Sequence, residues 1–175
     1  MDVQNPHHSD TKPAGKDFSS QVAAQFGGET MKRCYQCGTC ASSCPVAKRT
    51  PHFNPRELIK LSLLGCEDEV LSGESIWLCC SCYNCQERCP QKVEIADVIY
   101  ALRNIALKKG HVPSIYSKFA SALMTDGRIV GVSKFVETKR PTLGLPPLQK
   151  VGVENLRKIL CVTGFEKLPL KETQE

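Results

Sequence analysis

The sequence predicts an all-α fold gathered round metal, and three observations carry that expectation. Apolar residues recur at helical spacing, no stretch shows the period-two alternation of a half-buried strand, and a block of four cysteines is written twice. The 175 residues suffice for one domain, or one small domain with extensions. Eleven cysteines are far above ordinary usage, while only 6% of residues are aromatic. Metal coordination is therefore expected to supply much of the stability. No apolar run approaches the ~18 residues of a membrane span, and the first ten residues lack the basic and apolar regions of a secretory signal. A cytoplasmic location follows, where clustered cysteines serve as metal ligands or redox groups rather than disulfides.

Residues 1–17, with Pro6, Pro13 and Gly15, read as a disordered tail that includes His7-His8. Phe18 to Phe26 predicts a short helix with Phe18, Val22 and Phe26 on one face and Gly27-Gly28 at its end. Asn54-Pro55-Arg56-Glu57 opens the clearest helix. Asn54 suits the N-cap, Pro55 the first helical position, and Glu57 the capping-box position. Leu58, Ile59, Leu61, Leu63 and Leu64 form its apolar face, and Gly65 stops it. Ile95, Val98, Ile99, Leu102, Ile105, Ala106 and Leu107 mark a helix of about four turns ending at Gly110. Pro113 starts another, with Ile115, Phe119, Ala122 and Leu123 expected inward. Residues 126–152, with Pro141, Pro146 and Pro147, read as irregular, and Val153 to Val162 forms a last amphipathic helix before Gly164. The expected organisation is a tail over 1–17, a cysteine-rich helical domain over 18–112, a helical extension over 113–168, and a tail over 169–175.

The net charge of +5 belongs to residues 91–175, which carry fourteen basic and eight acidic side chains. These are scattered at helical spacing without the dense basic stripe and interleaved aromatics of a nucleic-acid reader, so they read as a solvated face. No nucleic-acid partner is expected.

Cys34, Cys37, Cys40 and Cys44, followed by Pro45, recur 45 residues later as Cys79, Cys82, Cys85 and Cys89, followed by Pro90. This C-x2-C-x2-C-x3-C-P spacing matches that of bacterial two-cluster ferredoxins, in which the fourth cysteine of each run ligates the other cluster. Three cysteines at steps of three wrap one face of a cubane, and the fourth corner is met from elsewhere. The match assigns Cys34, Cys37, Cys40 and Cys89 to one 4Fe-4S cluster, and Cys79, Cys82, Cys85 and Cys44 to the other. Pro45 and Pro90 disfavour helix at the preceding cysteine. Each oxidised cluster with its thiolates carries roughly −2, which brings the formal +5 down to about +1. Zinc is the rival metal, but structural zinc sites use two ligand pairs separated by a longer loop.

The other three cysteines read as buried structural thiols: Cys66 after a helix-ending glycine, Cys80 beside Cys79, and Cys161 on the apolar side of the last helix. Trp77 is expected to shield a cluster or pack in the core, and Tyr35 and Tyr83 adjoin ligands. Lys48, Arg49, His52, Arg56 and Lys60 could guide an acidic partner, but read as a solvated face. His52 and His111 lack a paired carboxylate or second histidine at ligand spacing, so no catalytic residue is expected. Neither a dinucleotide fingerprint nor a P-loop is present.

Cys34-Tyr35-Gln36-Cys37-Gly38-Thr39-Cys40, Ser43-Cys44-Pro45, Arg49-Thr50-Pro51, Ile76-Trp77-Leu78-Cys79, Cys82-Tyr83 and Cys85-Gln86-Glu87-Arg88-Cys89-Pro90 closely resemble the C-subunit of heterodisulfide reductase. The likeness extends through Thr163-Gly164-Phe165-Glu166-Lys167-Leu168 and covers roughly residues 18–168. It implies an alpha-helical ferredoxin fold and a soluble complex of an A-, a B- and a C-subunit. The A-subunit would hold flavin and further clusters. The B-subunit would hold noncubane clusters and reduce the mixed disulfide of coenzyme M and coenzyme B. This chain would be the electron relay between them, since the Cys-Cys-Gly element of the active-site subunit is absent and Cys79-Cys80 is followed by Ser81. Related chains in sulfur metabolism serve other acceptors, and Cys80 stands where a threonine is expected in the methanogen type. The rival readings are an iron–sulfur subunit of a fumarate reductase-type enzyme, which would add C-x4-C-x2-C spacing not found here, a free ferredoxin-like carrier, and a zinc-binding module.

Overall fold

The computed structural model describes residues 17–149 and 152–165. The expected C-terminal tail lies outside them, as does the expected N-terminal one apart from Asp17, which begins a helix. Among the described residues there is no strand. The helices are α1 (Asp17–Ala23), α2 (Thr39–Ser43), α3 (Pro55–Leu64), α4 (Glu67–Leu71), α5 (Asn84–Glu87), α6 (Ile95–Lys108), α7 (Ser114–Asp126), α8 (Lys134–Thr142) and α9 (Val153–Val162). Short 3-10 turns, Met31–Arg33 and Ser75–Leu78, precede the two cysteine loops. None of these helices is long and apolar enough to cross a membrane. The chain falls into two compact units divided after Ala106, within α6, where the sequence suggested a boundary after residue 112.

The first unit holds the core. Val22, Met31, Ile59, Val70, Ile76, Val98, Ile99 and Leu102 are fully buried there, each contributing roughly 1.5–3 kcal/mol by leaving water. Helix α3 starts as its sequence dictates. The Asn54 side-chain oxygen accepts from the Arg56 and Glu57 backbone N–H groups at 3.1 and 3.3 Å, and Gly65 closes the helix in the left-handed conformation. Its buried face differs from the expected one. Leu64 is exposed, and Ser62 is buried with its hydroxyl donating to the Leu58 carbonyl at 2.8 Å. A hydroxyl that satisfies itself on the preceding turn is cheap to bury, which apolar periodicity alone does not register.

Helix α1 places Phe18 and Val22 in the core, but it ends at Ala23 and Phe26 is 96% exposed. Gly27 adopts φ +86°, and a Cβ there would lie 2.8 Å from the Asp97 Cβ on α6. At Gly28 a Cβ would collide with the Val22 carbonyl oxygen. The glycine pair therefore folds the chain back tightly against α6.

The second unit, from Leu107, contains α7, α8 and α9, with α7 packed on α9. The Arg157 Nε donates to the Met124 carbonyl at 3.0 Å. Helix α7 buries Ser117 and Ala120, while Ile115 and Phe119, expected inward, are exposed. Helix α8 lies inside the stretch read as irregular. It is capped by the Ser133 hydroxyl on the Val136 N–H at 3.4 Å, buries no residue, and carries Pro141 next to its last position. A helix without an apolar face leaves no periodic signal.

Asn54→Ala should cost about 1 kcal/mol of stability, read as a lower midpoint in anaerobic urea unfolding. Gly27→Val should cost more, because it adds both left-handed strain and the clash with Asp97.

Candidate metal centre

The two cysteine runs adopt the same backbone path. Cys34 and Cys79 are extended, with φ/ψ of −72°/118° and −62°/121°. Two left-handed residues follow in each loop: Gln36 at φ 67° and Gly38 at 86° in the first, Ser81 at 54° and Tyr83 at 60° in the second. Then a short helix begins, α2 with Cys40 and α5 with Cys85. Its turns match bond for bond. Ala41 N–H donates to the Gly38 carbonyl at 3.1 Å and Gln86 N–H to the Tyr83 carbonyl at 2.9 Å, while Cys44 and Cys89 N–H groups close the ends at 3.2 and 3.1 Å. Left-handed Gln36, Ser81 and Tyr83 each cost of order 1 kcal/mol or more. That strain curls each loop so that its three cysteines face one side. Cys44 ends α2 in an extended conformation, as Pro45 requires.

Helices α2 and α5 pack on each other, and the Asn84 Nδ2 donates to the Ser43 carbonyl at 2.7 Å across 41 residues of chain. This carries the last cysteine of each run to the other loop. One cavity, of about 310 Å³ with its mouth, is lined by Cys34, Cys37, Cys40 and Cys89, together with Gln36, Thr39 and Arg56. The other, of about 330 Å³, is lined by Cys44, Cys79, Cys82 and Cys85, together with Cys80, Val46, Phe53, Tyr83, Ala96 and Ile99. The first cavity thus gathers three thiols from one loop and one from the other, and the second gathers Cys44 with four from the later loop, Cys80 among them.

The donor sets fit iron–sulfur cubes. Among the described residues no three or more His, Cys, Asp or Glu side chains close round a single ion, as zinc requires with its sulfurs about 2.3 Å from the metal. Instead four cysteines line the first cavity and five the second. Burial, then neighbouring Cys79, Cys40, Cys44 and Cys82, pushes the Cys85 thiol up to about 12, and burial likewise raises Cys40. Bare thiolates would repel one another there, and a cationic iron core held by them would supply the missing charge. Cys37, at the mouth, is shifted down chiefly by its hydrogen bond with Thr39.

Other residues fall in varied places. Cys66 is buried, as expected, and its thiol is raised by burial and then by Glu69. Cys80 is exposed at the rim of the second cavity and Cys161 is exposed on α9, so neither is the buried structural thiol that its position suggested. Trp77 is half-buried against the core and lines neither cavity, whereas Tyr35 and Tyr83 line one cavity each. Lys48, Arg49, His52, Arg56 and Lys60 are all exposed, and of these Arg56 lines a cavity.

Arg103 escaped the sequence reading. Its Nε donates to the Ile76 carbonyl at 2.8 Å and its Nη2 to the Cys79 carbonyl at 2.6 Å, with the guanidinium 5.8 Å from the Trp77 ring centre and 5.5 Å from that of Tyr100. The Asp97 carboxylate accepts from the Gln86 Nε2 at 2.9 Å. Asp97, Tyr100 and Arg103 form a polar stripe at steps of three along the mostly apolar α6. That stripe was the available signal.

Comparison with known proteins agrees with this geometry. Residues 30–93 match the 4Fe-4S dicluster domain family. The chain is 36% identical to the C-subunit of the H(2):CoB-CoM heterodisulfide,ferredoxin reductase of Methanothermobacter thermautotrophicus, over 87% of this chain and 85% of that one. It is 38% identical to a second iron-sulfur C-subunit of the CoB--CoM heterodisulfide reductase of Methanocaldococcus jannaschii, over 80% and 77% of the two chains. The iron-sulfur C-subunit of the Methanopyrus kandleri enzyme of that name is 34% identical over 87% and 84%. The protein is a two-cluster 4Fe-4S chain and belongs to the family of heterodisulfide reductase C-subunits.

Proposed function

We propose that this chain is the electron-relay subunit of a heterodisulfide reductase complex in the reducing cytoplasm. It would carry electrons from a flavin-containing A-subunit to the B-subunit that reduces the disulfide of coenzyme M and coenzyme B. The observation that carries the relay is the pair of cysteine-lined cavities in one small unit, each taking a thiol from the other loop. Each 4Fe-4S cluster, when bound, takes up and releases one electron without a proton or a bond changing place. The assigned ligands are Cys34, Cys37, Cys40 and Cys89 for one cluster and Cys79, Cys82, Cys85 and Cys44 for the other. The loops hold these thiols in place through α2 and α5, and Arg103 ties the second loop to α6.

Membership of a larger assembly accords with the surface of the second unit. Val130 and Phe135 are 71% and 68% exposed, and Leu143 and Ile159 are exposed as well. Large apolar side chains left in water at this density suit burial against other subunits.

Paired substitutions test the ligand exchange. Anaerobically reconstituted protein should hold about eight irons. Cys34→Ala with Cys89→Ala strikes one cluster and should leave about four irons, whereas Cys34→Ala with Cys44→Ala strikes both and should leave almost none. The reverse pattern would mean that each run serves its own cluster. For the assembly, affinity capture of the native full-length chain should bring down a flavoprotein and a chain with noncubane clusters. Phe135→Glu should weaken that capture at unchanged iron content, and a chain recovered alone from both preparations would refute the relay.

A further inference from the structure

The two cavities share a backbone path but differ in what reaches their sulfurs. At the first, the Gln36 Nε2 donates to the Cys34 Sγ at 3.4 Å, the Thr39 hydroxyl lies 3.4 Å from the Cys37 Sγ, and the Val93 N–H donates to the Cys89 Sγ at 3.2 Å. A metal-bound thiolate carries no proton, so Thr39 is the donor in its pair. At the second, the Ala47 N–H donates to the Cys44 Sγ at 3.4 Å, and the Cys80 thiol, a weak donor, lies beside Cys82. The walls differ in the same sense. Gln36, Thr39, Arg56 and Gln91 stand beside Ile95 at the first cavity, whereas Val46, Phe53, Ala96 and Ile99 stand beside Tyr83 and Cys80 at the second. One arginine attends each site, Arg56 at the first and Arg103 on the Cys79 carbonyl at the second.

Reduction adds a negative charge to a site. Hydrogen bonds to ligand sulfur spread that charge and favour it, and apolar walls poor in donors penalise it. We infer that the site of Cys34, Cys37, Cys40 and Cys89 holds its electron more tightly than the site of Cys44, Cys79, Cys82 and Cys85, so that electrons enter this chain at the second site and leave from the first. The inference rests on the relay function proposed above. In the step itself one electron passes from the reduced second site to the oxidised first. The electron comes from a one-electron donor: the flavoprotein in the complex, dithionite in the test.

The test is an anaerobic dithionite titration of the full-length holoprotein with redox mediators, followed by electron paramagnetic resonance, with iron measured on the same sample. The unaltered chain should show two separate midpoint potentials. Gln36→Leu with Thr39→Val should lower the higher midpoint, weakening electron binding about tenfold, equivalent to about 59 mV for one electron, and should leave the lower one in place. Thr39→Val alone should act in the same direction by a smaller amount, and serves if the double variant fails to hold iron. A fall in the lower midpoint instead, or no movement of either, overturns the inference while the relay stands. An unaltered chain with far fewer than about eight irons sinks the relay itself, and the order of the sites with it.

Discussion

Each cavity is lined by cysteines of one loop and the last cysteine of the other run, and this exchange constrains the rest of the first unit. Two loops can lend each other a sulfur only where the short helices that follow them lie side by side. Helices α2 and α5 do so, pinned by the Asn84 amide on the Ser43 carbonyl. Such short helices have little stability of their own, and left-handed Gln36, Ser81 and Tyr83 add strain. The surroundings supply what these segments lack. Helix α3 packs against α1 and α2, and α6 contributes Ala96 and Ile99 to the wall of the second cavity.

Helix α6 joins the core to the metal sites. Its apolar residues are buried, while its polar stripe reaches the segment around α5 through Asp97 and the start of the second cysteine loop through Arg103. Arg103 uses two nitrogens of its fork on two backbone carbonyls and rests over two aromatic rings. A lysine, with one compact ammonium, could not hold both carbonyls in that geometry. The first loop meets α6 through the apolar Ile95 at its cavity and is attended by its own Gln36 and Thr39 side chains. The duplicated motif is therefore symmetric in its cysteines and backbone, and asymmetric in the side chains that reach the sulfurs of its first two ligand positions.

Much of this was legible in the residues because the strongest signals were covalent or local. The cysteine spacing marked both loops, Asn54-Pro55 and Gly65 marked the ends of α3, and the period of the apolar residues marked α6 and α9. The failures have a common cause, that tertiary packing decides which side of a short or weakly amphipathic helix is buried. Phe26, Leu64, Ile115 and Phe119 are apolar residues left outside, and Ser62 and Ser117 are hydroxyls taken inside. Helix α8 buries nothing and so had no pattern to read. At the sites, identity of the thiols could be read from spacing, but which side chains donate to their sulfurs depends on loop curvature that no residue type encodes alone.

The arrangement of the second cavity has a consequence for synthesis of the chain. Its thiol at Cys44 waits on Cys79, Cys82 and Cys85, and the first cavity waits longer still, for Cys89. A ribosome must therefore translate about half of the polypeptide before either nest of sulfurs is complete. Until then the leading cysteines travel as exposed thiols, open to oxidants and stray metals. Maturation of such a chain favours delivery of iron after both runs have left the exit tunnel, with protection of the nascent segment in the interval.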